Sequence, residues 1–271
     1  MEKYSVLMSL YNKEHPEYLR LALDSMIDQT VKPDEIVLVE DGPLTDELYK
    51  VVEEYKEYLT IVVNEKNLGL GLALNEGLKT CRNELVARMD TDDISKSDRC
   101  EKQLSYFDAH PETTILGGQI EEFINSPDEV VGKRVVPETD ADLKEFMKKR
   151  CPFNHMTVMF KKSDVLKAGN YQDWFWNEDY YLWIRLAAEK YEFANLPDIL
   201  VYTRVGEDMY KRRGGKMYFQ SEYGLQKLML EKRMIGTTTF IGNIGKRFIV
   251  QRMLPNRVRA WVFKKFARSK G

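Results

Sequence analysis

The chain has 271 residues, 43% hydrophobic and 31% charged, the balance of a soluble globular protein and not of a disordered one. No apolar run approaches the roughly 18–20 residues needed to cross a bilayer. Cys81, Cys100 and Cys151 are scattered without CxxC spacing, which argues against a disulfide framework or thiolate metal centre and fits a reducing cytoplasm. The net charge of −2 hides an asymmetry: residues 240–271 hold nine Lys or Arg and no Asp or Glu, so residues 1–239 carry −11. An acidic body argues against broad nucleic-acid binding, while the basic tail needs its own account.

Met1 to Tyr4 run into an apolar segment with no cleavage-site pattern, which reads as a first strand and not a signal peptide. Ser5–Leu10 is that strand, and after Pro16 the apolar Leu19, Leu23, Met26 and Ile27 recur at helical spacing. Ile36–Val39 is a second strand, stopped by Glu40-Asp41-Gly42-Pro43. Thr45 is placed to cap a helix that buries Leu48, Val51, Val52 and Tyr55. Thr60–Val63 leads into the turn Asn67-Leu68-Gly69-Leu70-Gly71, a helix runs towards Leu78, and Leu85–Met89 is a fourth strand. The β-α-β-α-β-α-β order predicts an α/β fold with a mostly parallel sheet flanked by helices. Beyond it, a helix ends before His110-Pro111, residues 114–137 read as irregular strands, and residues 140–149 as a short helix. Asn154–Phe160 reads as a strand, followed by a helix with Ser163 as N-cap and Gly169 as C-cap. Asn177 caps a helix that opens with Glu178 and Asp179 and buries Leu182, Trp183 and Leu186. Residues 1–239 form one domain and residues 240–271 a basic amphipathic helical tail broken at Pro255.

Each of the four strands ends in a polar or glycine-bearing set: Ser9/Tyr11/Asn12, Glu40/Asp41/Gly42, Asn64/Asn67/Gly69 and Asp90/Asp92/Asp93. Ligands of open α/β sheets bind at the carboxyl ends of the strands. Asp90-Thr91-Asp92-Asp93 sets three carboxylates within four residues, and they repel one another unless a cation neutralises them. Oxygen donors of this kind suit Mn²⁺ or Mg²⁺. A solvated acidic turn is the competing reading.

Ser9-Leu10-Tyr11-Asn12, Val39-Glu40-Asp41-Gly42, Asn67-Leu68-Gly69, Ala87-Arg88-Met89-Asp90-Thr91-Asp92-Asp93 and Asn177-Glu178-Asp179-Tyr180-Tyr181-Leu182-Trp183 resemble, in order and spacing, glycosyltransferase family 2. The resemblance covers about residues 4–205 and is closest to bacterial capsule, exopolysaccharide and O-antigen transferases. It implies a GT-A fold and an inverting, metal-dependent sugar transfer. The donor would be a nucleotide sugar, UDP-linked by family habit, and the acceptor a saccharide or lipid-linked saccharide. Ser9 and Tyr11 would touch the nucleoside, with Glu40 at the base-reading place, Asp41 and Asn67 beside it and Asp90 near the ribose. Asp92 would ligate the cation, with Asp90 and Asp93 as partners. Arg88 serves either substrate or an ion pair with Asp90 or Asp93. Asp179, or failing it Glu178, would be the general base, and a helix N-terminus favours its ionised form. His155 and either Trp174 or Trp176 are candidates for sugar contact. Arg204, Arg212 and Arg213, with Gly214-Gly215, form a candidate diphosphate clamp or a solvated charge run.

The tail interleaves Phe248, Ile249, Met253, Leu254 and Trp261 with its cations, a pattern that lies on anionic membranes. It places the protein in the cytoplasm, peripheral to the inner face of the bacterial plasma membrane, unless the tail packs on the body or mediates an oligomer. A sugar nucleotidyltransferase would need a Gly-rich basic loop after the first strand, which Ser9–Glu14 is not. A non-catalytic nucleotide-sugar-binding subunit would more often lack the acids at 178 and 179.

Overall fold

The computed structural model describes residues 2–206 and 214–254. The first half alternates as the sequence pattern requires: β1 (Tyr4–Leu10), α1 (Pro16–Ile27), β2 (Glu35–Asp41), α2 (Asp46–Glu54), β3 (Leu59–Asn64), α3 (Leu70–Thr80) and β4 (Leu85–Arg88). After these come β5 (Ile94–Ser95), α4 (Arg99–Ala109), β6 (Thr113–Phe123), β7 (Val130–Arg134), α5 (Asp140–Met147), β8 (Met159–Lys161) and α6 (Lys162–Lys167). The chain continues through α7 (Glu178–Ala188) and β9 (Glu192–Arg204) to α8 (Lys216–Glu231) and α9 (Thr237–Phe248).

The strands form one mixed sheet in the order β3-β2-β1-β4-β8-β6-β9-β5, with β7 added to β6. β3, β2, β1 and β4 are mutually parallel, so their carboxyl ends line one edge; the antiparallel partners lie beyond β4. Side chains alternate across the sheet. Tyr4, Val6, Met8, Leu10, Ile36 and Leu38 pack against α1 and α2, while Leu7, Val37, Val39 and Val86 pack against α3. Each such fully buried aliphatic side chain contributes about 1.5–3 kcal/mol. The Thr45 cap forms as expected, accepting from the Leu48 N–H at 3.3 Å.

Residues 114–137 hold the irregular strands expected: β6, buried along nearly its whole length, shifts register against β9 and against β7, which follows it. Two other local expectations need correction. Asn154–Phe160 is a 3₁₀ turn (His155–Thr157) followed by the short β8. The Asn154 amide donates to the Gly118 carbonyl at 2.8 Å and the Thr157 hydroxyl accepts from the Gly118 N–H at 3.0 Å, so side chains replace ladder bonds there. Ser163 lies inside α6 and its hydroxyl donates to Glu84 at 2.6 Å; the C-terminal glycine is as expected, Gly169 with φ +89°.

The helix α9 starts at Thr237 and runs through the expected domain boundary at 239/240 without a break. Its Asn243 amide donates to Gln226 of α8 and to the Lys148 carbonyl, both at 2.8 Å, and Arg247 pairs with Glu222. This first stretch of the basic segment therefore packs on the body. The second tail helix expected after Pro255 lies outside the described residues.

Candidate active site

β4 closes the parallel set, in the middle of the whole sheet, and the chain leaves it through Met89 into Asp90-Thr91-Asp92-Asp93. Three bonds hold this turn: the Thr91 hydroxyl donates to the Ser9 carbonyl at 3.4 Å, the Arg204 N–H to Asp93 Oδ1 at 2.8 Å, and the Arg204 Nε–H to the Asp92 carbonyl at 3.2 Å. The result is three carboxylates whose oxygens lie within 4.8 Å of one another. One buried arginine, Arg88, offsets only part of their charge. Burial, then Asp90, pushes the Asp92 carboxyl up to about 6, and burial followed by Asp92 and Asp90 raises Asp93 well above the usual range. Asp93 Oδ2 is buried with no hydrogen-bond partner among the described residues. A hard divalent cation answers both features, so the donor set fits Mn²⁺ or Mg²⁺.

Arg88, the last residue of β4, is almost wholly buried and ion-pairs with Asp90. Of the two roles open to it in the sequence, the ion pair is the one seen. The first turn of α7 lies across from it. Gly71, in the first turn of α3, permits the approach: a Cβ there would sit 2.7 Å from the Gln172 carbonyl and 2.9 Å from Glu178 Cβ. Arg88 and Asp90 stand close enough to act on the ionisation of Tyr171 and Glu178, and Arg88 on that of Asp179. The metal-type turn and the acidic helix start thus both lie within reach of the Arg88 charge.

Burial first, then the neighbouring Asp179, pushes the Glu178 carboxyl up to about 7. Burial also raises Asp179, partly offset by the Tyr180 N–H, the Cys151 thiol, Arg134 and Arg88. The Tyr180 N–H donates to Asp179 Oδ1 at 2.6 Å and Cys151 Sγ donates to Oδ2 at 3.4 Å. Asn177 stands at the cap position of α7, but its amide donates to Ser221 of α8 at 2.9 Å and caps nothing. Sequence reasoning passed over Cys151 because its partner lies far away along the chain. It also passed over Arg134, which fixes the Cys151 loop by donating to the Cys151 and Phe153 carbonyls at 2.8 and 2.9 Å.

The remaining candidates separate into groups. Ser9 and Tyr11, both half-buried, end β1 beside the acidic turn. Asp41 accepts from the Leu68 and Gly69 N–H groups at 2.8 and 3.0 Å and from the Asn64 amide at 3.1 Å, while Asn67 donates to the Asp41 carbonyl at 3.2 Å. These two residues hold their shared turn. Gly42, at φ +87°, makes it possible, because a Cβ there would lie 2.6 Å from the Asn67 nitrogen. Glu40 alternates onto the opposite face, with Leu38, and lines a groove of about 690 Å³ with Tyr49, Lys50, Ile61 and Val63. The structure does not bring Glu40 together with Ser9 and Asp41.

His155 is buried, its Nε2 2.9 Å from the Tyr171 hydroxyl, and burial together with the Arg88 charge lowers its pKa well below the usual value. Its ring packs against Tyr171 and Trp183 beside the Arg88 charge. Trp176 is half exposed at φ +59°. Trp174 instead stacks on Tyr181 with centroids 4.1 Å apart, and Trp183 is core as expected. Arg204 is occupied: its guanidinium lies 3.7 Å from the centre of the Tyr18 ring and 4.6 Å from that of Phe123, so it braces the acidic turn. Arg212 and Arg213 lie outside the described residues.

The chain matches the family model for glycosyl transferase family 2 over residues 5–166. It is 46% identical to an uncharacterized glycosyltransferase of Haemophilus influenzae, over 98% of this chain and 99% of that protein. It is 42% identical to the amylovoran biosynthesis glycosyltransferase AmsE of Erwinia amylovora, over 97% and 98% of the two chains. A third relative, 38% identical over 98% and 97%, is the UDP-Gal:alpha-D-GlcNAc-diphosphoundecaprenol beta-1,3-galactosyltransferase of Escherichia coli. Among solved structures, S. aureus TarS 1–349 in complex with UDP-GlcNAc superimposes with TM-score 0.67 at 18% identity, covering 91% of this chain and 72% of that one. The mannosyltransferase PcManGT of Pyrobaculum calidifontis, in complex with GDP-Man and Mn²⁺, does so with TM-score 0.62 at 17% identity, covering 98% and 80%. The chain belongs to glycosyl transferase family 2. Its fold is GT-A, and the enzyme is a glycosyltransferase.

Proposed function

We propose that the enzyme transfers a sugar from a nucleotide diphosphate sugar, a UDP-sugar, to a saccharide or lipid-linked saccharide acceptor in bacterial surface polysaccharide synthesis, with inversion at the anomeric carbon. The observation that carries this reading is the nearness of both the Asp90-Asp92-Asp93 turn and the Glu178-Asp179 helix start to buried Arg88, which we read as two sides of one donor and acceptor cleft. Full-length similarity to AmsE and to an enzyme named for UDP-galactose and a diphosphoundecaprenol-linked acceptor supports the donor and acceptor classes.

In the proposed reaction Asp179 accepts the proton of the acceptor hydroxyl while that oxygen attacks the anomeric carbon and the bond to the diphosphate oxygen breaks. Holding the carboxylate within reach of the proton is its contribution to the rate. Asp92, with Asp90 and Asp93, would hold Mn²⁺ or Mg²⁺, which supplies positive charge for the leaving diphosphate. Ser9 and Tyr11 line the nucleoside end, and the turn held by Asp41 and Asn67 shapes it from the β2 and β3 side. Trp176 offers an exposed ring for the acceptor sugar, and His155 with Tyr171 forms the floor beneath it. A lipid-linked acceptor places the enzyme at the inner face of the plasma membrane, with the basic tail towards anionic headgroups.

A melting-temperature panel of UDP-, GDP- and dTDP-sugars with Mn²⁺, Mg²⁺ or EDTA tests the donor assignment. One UDP-sugar is expected to raise Tm only when metal is present, and to be turned over when acceptor is added. Equal shifts in EDTA, or stabilisation by GDP-sugars alone, would remove the metal-dependent UDP reading.

A further inference from the structure

Helix α9 packs Phe240 on the core and sets the Phe248 ring edge-on to Phe219 of α8, but from Ile241 through the π-helical turn Ile249–Met253 its fully buried residues are polar and its exposed ones largely apolar. The two buried residues between Thr237 and Leu254 are Asn243 and Gln251. Asn243 bonds to Gln226 and the Lys148 carbonyl, and half-buried Arg247 bonds to Glu222 and the Lys149 carbonyl. The exposed side chains include Ile241 (64% accessible), Phe248 (47%), Ile249 (52%) and Met253 (66%). Residues 241, 245, 248 and 252 share one face at helical spacing, and polar 243, 247 and 251 share the opposite one. A surface helix of a free globular protein carries its apolar stripe inward. This one has the opposite sense, so its apolar face is built to meet something other than the body.

Charge selects the partner. Lys246 and Arg252 are exposed on the same outward side, and after Glu231 the sequence contains no Asp or Glu at all. A second copy docking across a two-fold axis would set this cationic face against itself. Residues 255–271 contribute six more Lys or Arg and no acid, so they would also meet it with like charge. An anionic lipid surface satisfies both halves of the pattern, acyl chains for the four hydrophobic side chains and headgroups for the cations.

We propose that the outward face formed by Ile241, Phe248, Ile249 and Met253, rimmed by Lys246 and Arg252, is the membrane-docking surface of the enzyme. It rests on the proposed function only for what waits at that membrane, a lipid-linked acceptor. Polar anchoring of the helix to α8 then fixes the body relative to the bilayer.

The test is co-sedimentation of the full-length protein with phosphatidylglycerol-rich vesicles and with pure phosphatidylcholine vesicles. The comparison proteins are full-length Ile241→Ser/Phe248→Ser/Ile249→Ser/Met253→Ser and full-length Lys246→Glu/Arg252→Glu. Wild type is expected to bind the anionic vesicles, less at high salt, and both variants to bind roughly tenfold or more weakly. Both should keep the wild-type melting temperature and the wild-type rate with a water-soluble acceptor, since no substituted residue belongs to the cleft. Wild-type-like binding by the fourfold Ser variant would overturn the proposal, as would no vesicle binding by wild type. So would a wild-type dimer that the substitutions dissociate while vesicle binding stays absent. Inactivity of every protein on every acceptor, with vesicle binding as expected, would overturn the proposed function and leave the docking surface standing.

Discussion

Arg88 forms an ion pair with Asp90 from a position only 1% exposed, while its Nε and Nη1 have no hydrogen-bond partner among the described residues. Stripping a guanidinium of water for a single carboxylate costs several kcal/mol that the pair does not fully return. Arg88→Met is therefore expected to change unfolding free energy by no more than about 1–2 kcal/mol, because loss of the pair is offset by removal of two unsatisfied donors. Sugar transfer, in contrast, is expected to fall about a hundredfold, since a cation aimed at both acidic groups is lost. Urea unfolding and turnover at saturating donor measure the two effects. A variant that unfolds readily yet turns over normally when folded would make Arg88 purely structural.

The acidic turn implies a trade between stability and binding. In the metal-free protein Asp92 has its carboxyl raised from 3.8 to about 6, so folding favours its protonated form. The folded protein then binds more protons than the unfolded chain between those values, and stability falls as pH rises through that window. Asp92→Asn removes the penalty. At pH 7.5 in EDTA it is expected to be more stable than wild type by roughly 1–3 kcal/mol. The same variant should lose the Mn²⁺-induced rise in Tm and nearly all turnover. A destabilised Asp92→Asn protein in EDTA would show that the carboxylate is needed for the fold itself.

Asp179 and Glu178 are adjacent acids with different settings, and their substitutions should differ accordingly. Asp179→Asn is expected to lower kcat by about 10²–10⁴ while keeping the donor-induced Tm shift. Glu178, near 7, is only partly ionised at neutral pH. Asp179 ionises while Glu178 is still protonated, so neutral Glu178→Gln should leave the acidic limb of kcat near its wild-type position with a smaller loss at the plateau. If Glu178→Gln were the inactive protein and Asp179→Asn the active one, the two roles would be exchanged.

How much of this was legible in sequence depended on how local each feature is. The four parallel strands, the Thr45 cap and the acidic turn are written in contiguous residues, and all were readable. Glu40 takes the base-reading place by family resemblance alone; the fold adds that one step along β2 turns its side chain to the face opposite Asp41. Arg204 reads in sequence as an available cation; only the fold shows it enclosed by Tyr18 and Phe123, far away along the chain. The inverted sense of α9 escaped for the same reason. Periodicity reveals that a helix has two faces, but which face the body takes is decided by Gln226, Glu222 and Lys148.

Cys151 gives the most stringent check on the base assignment. Its thiol donates to Asp179 Oδ2 at 3.4 Å, and Arg134 holds its loop in place. A donor to the ionised carboxylate lowers its pKa, so Cys151→Ala should raise it and move the acidic limb of kcat upward by roughly half a pH unit to one unit. The rate at alkaline pH, where Asp179 is ionised in either protein, should stay close to wild type. Cys151→Ser keeps a donor and should leave the limb near its wild-type position. Merely loosened packing would instead lower the rate at every pH and be shared by both variants. A limb that does not move in Cys151→Ala would mean that Asp179 is not the group whose ionisation controls transfer.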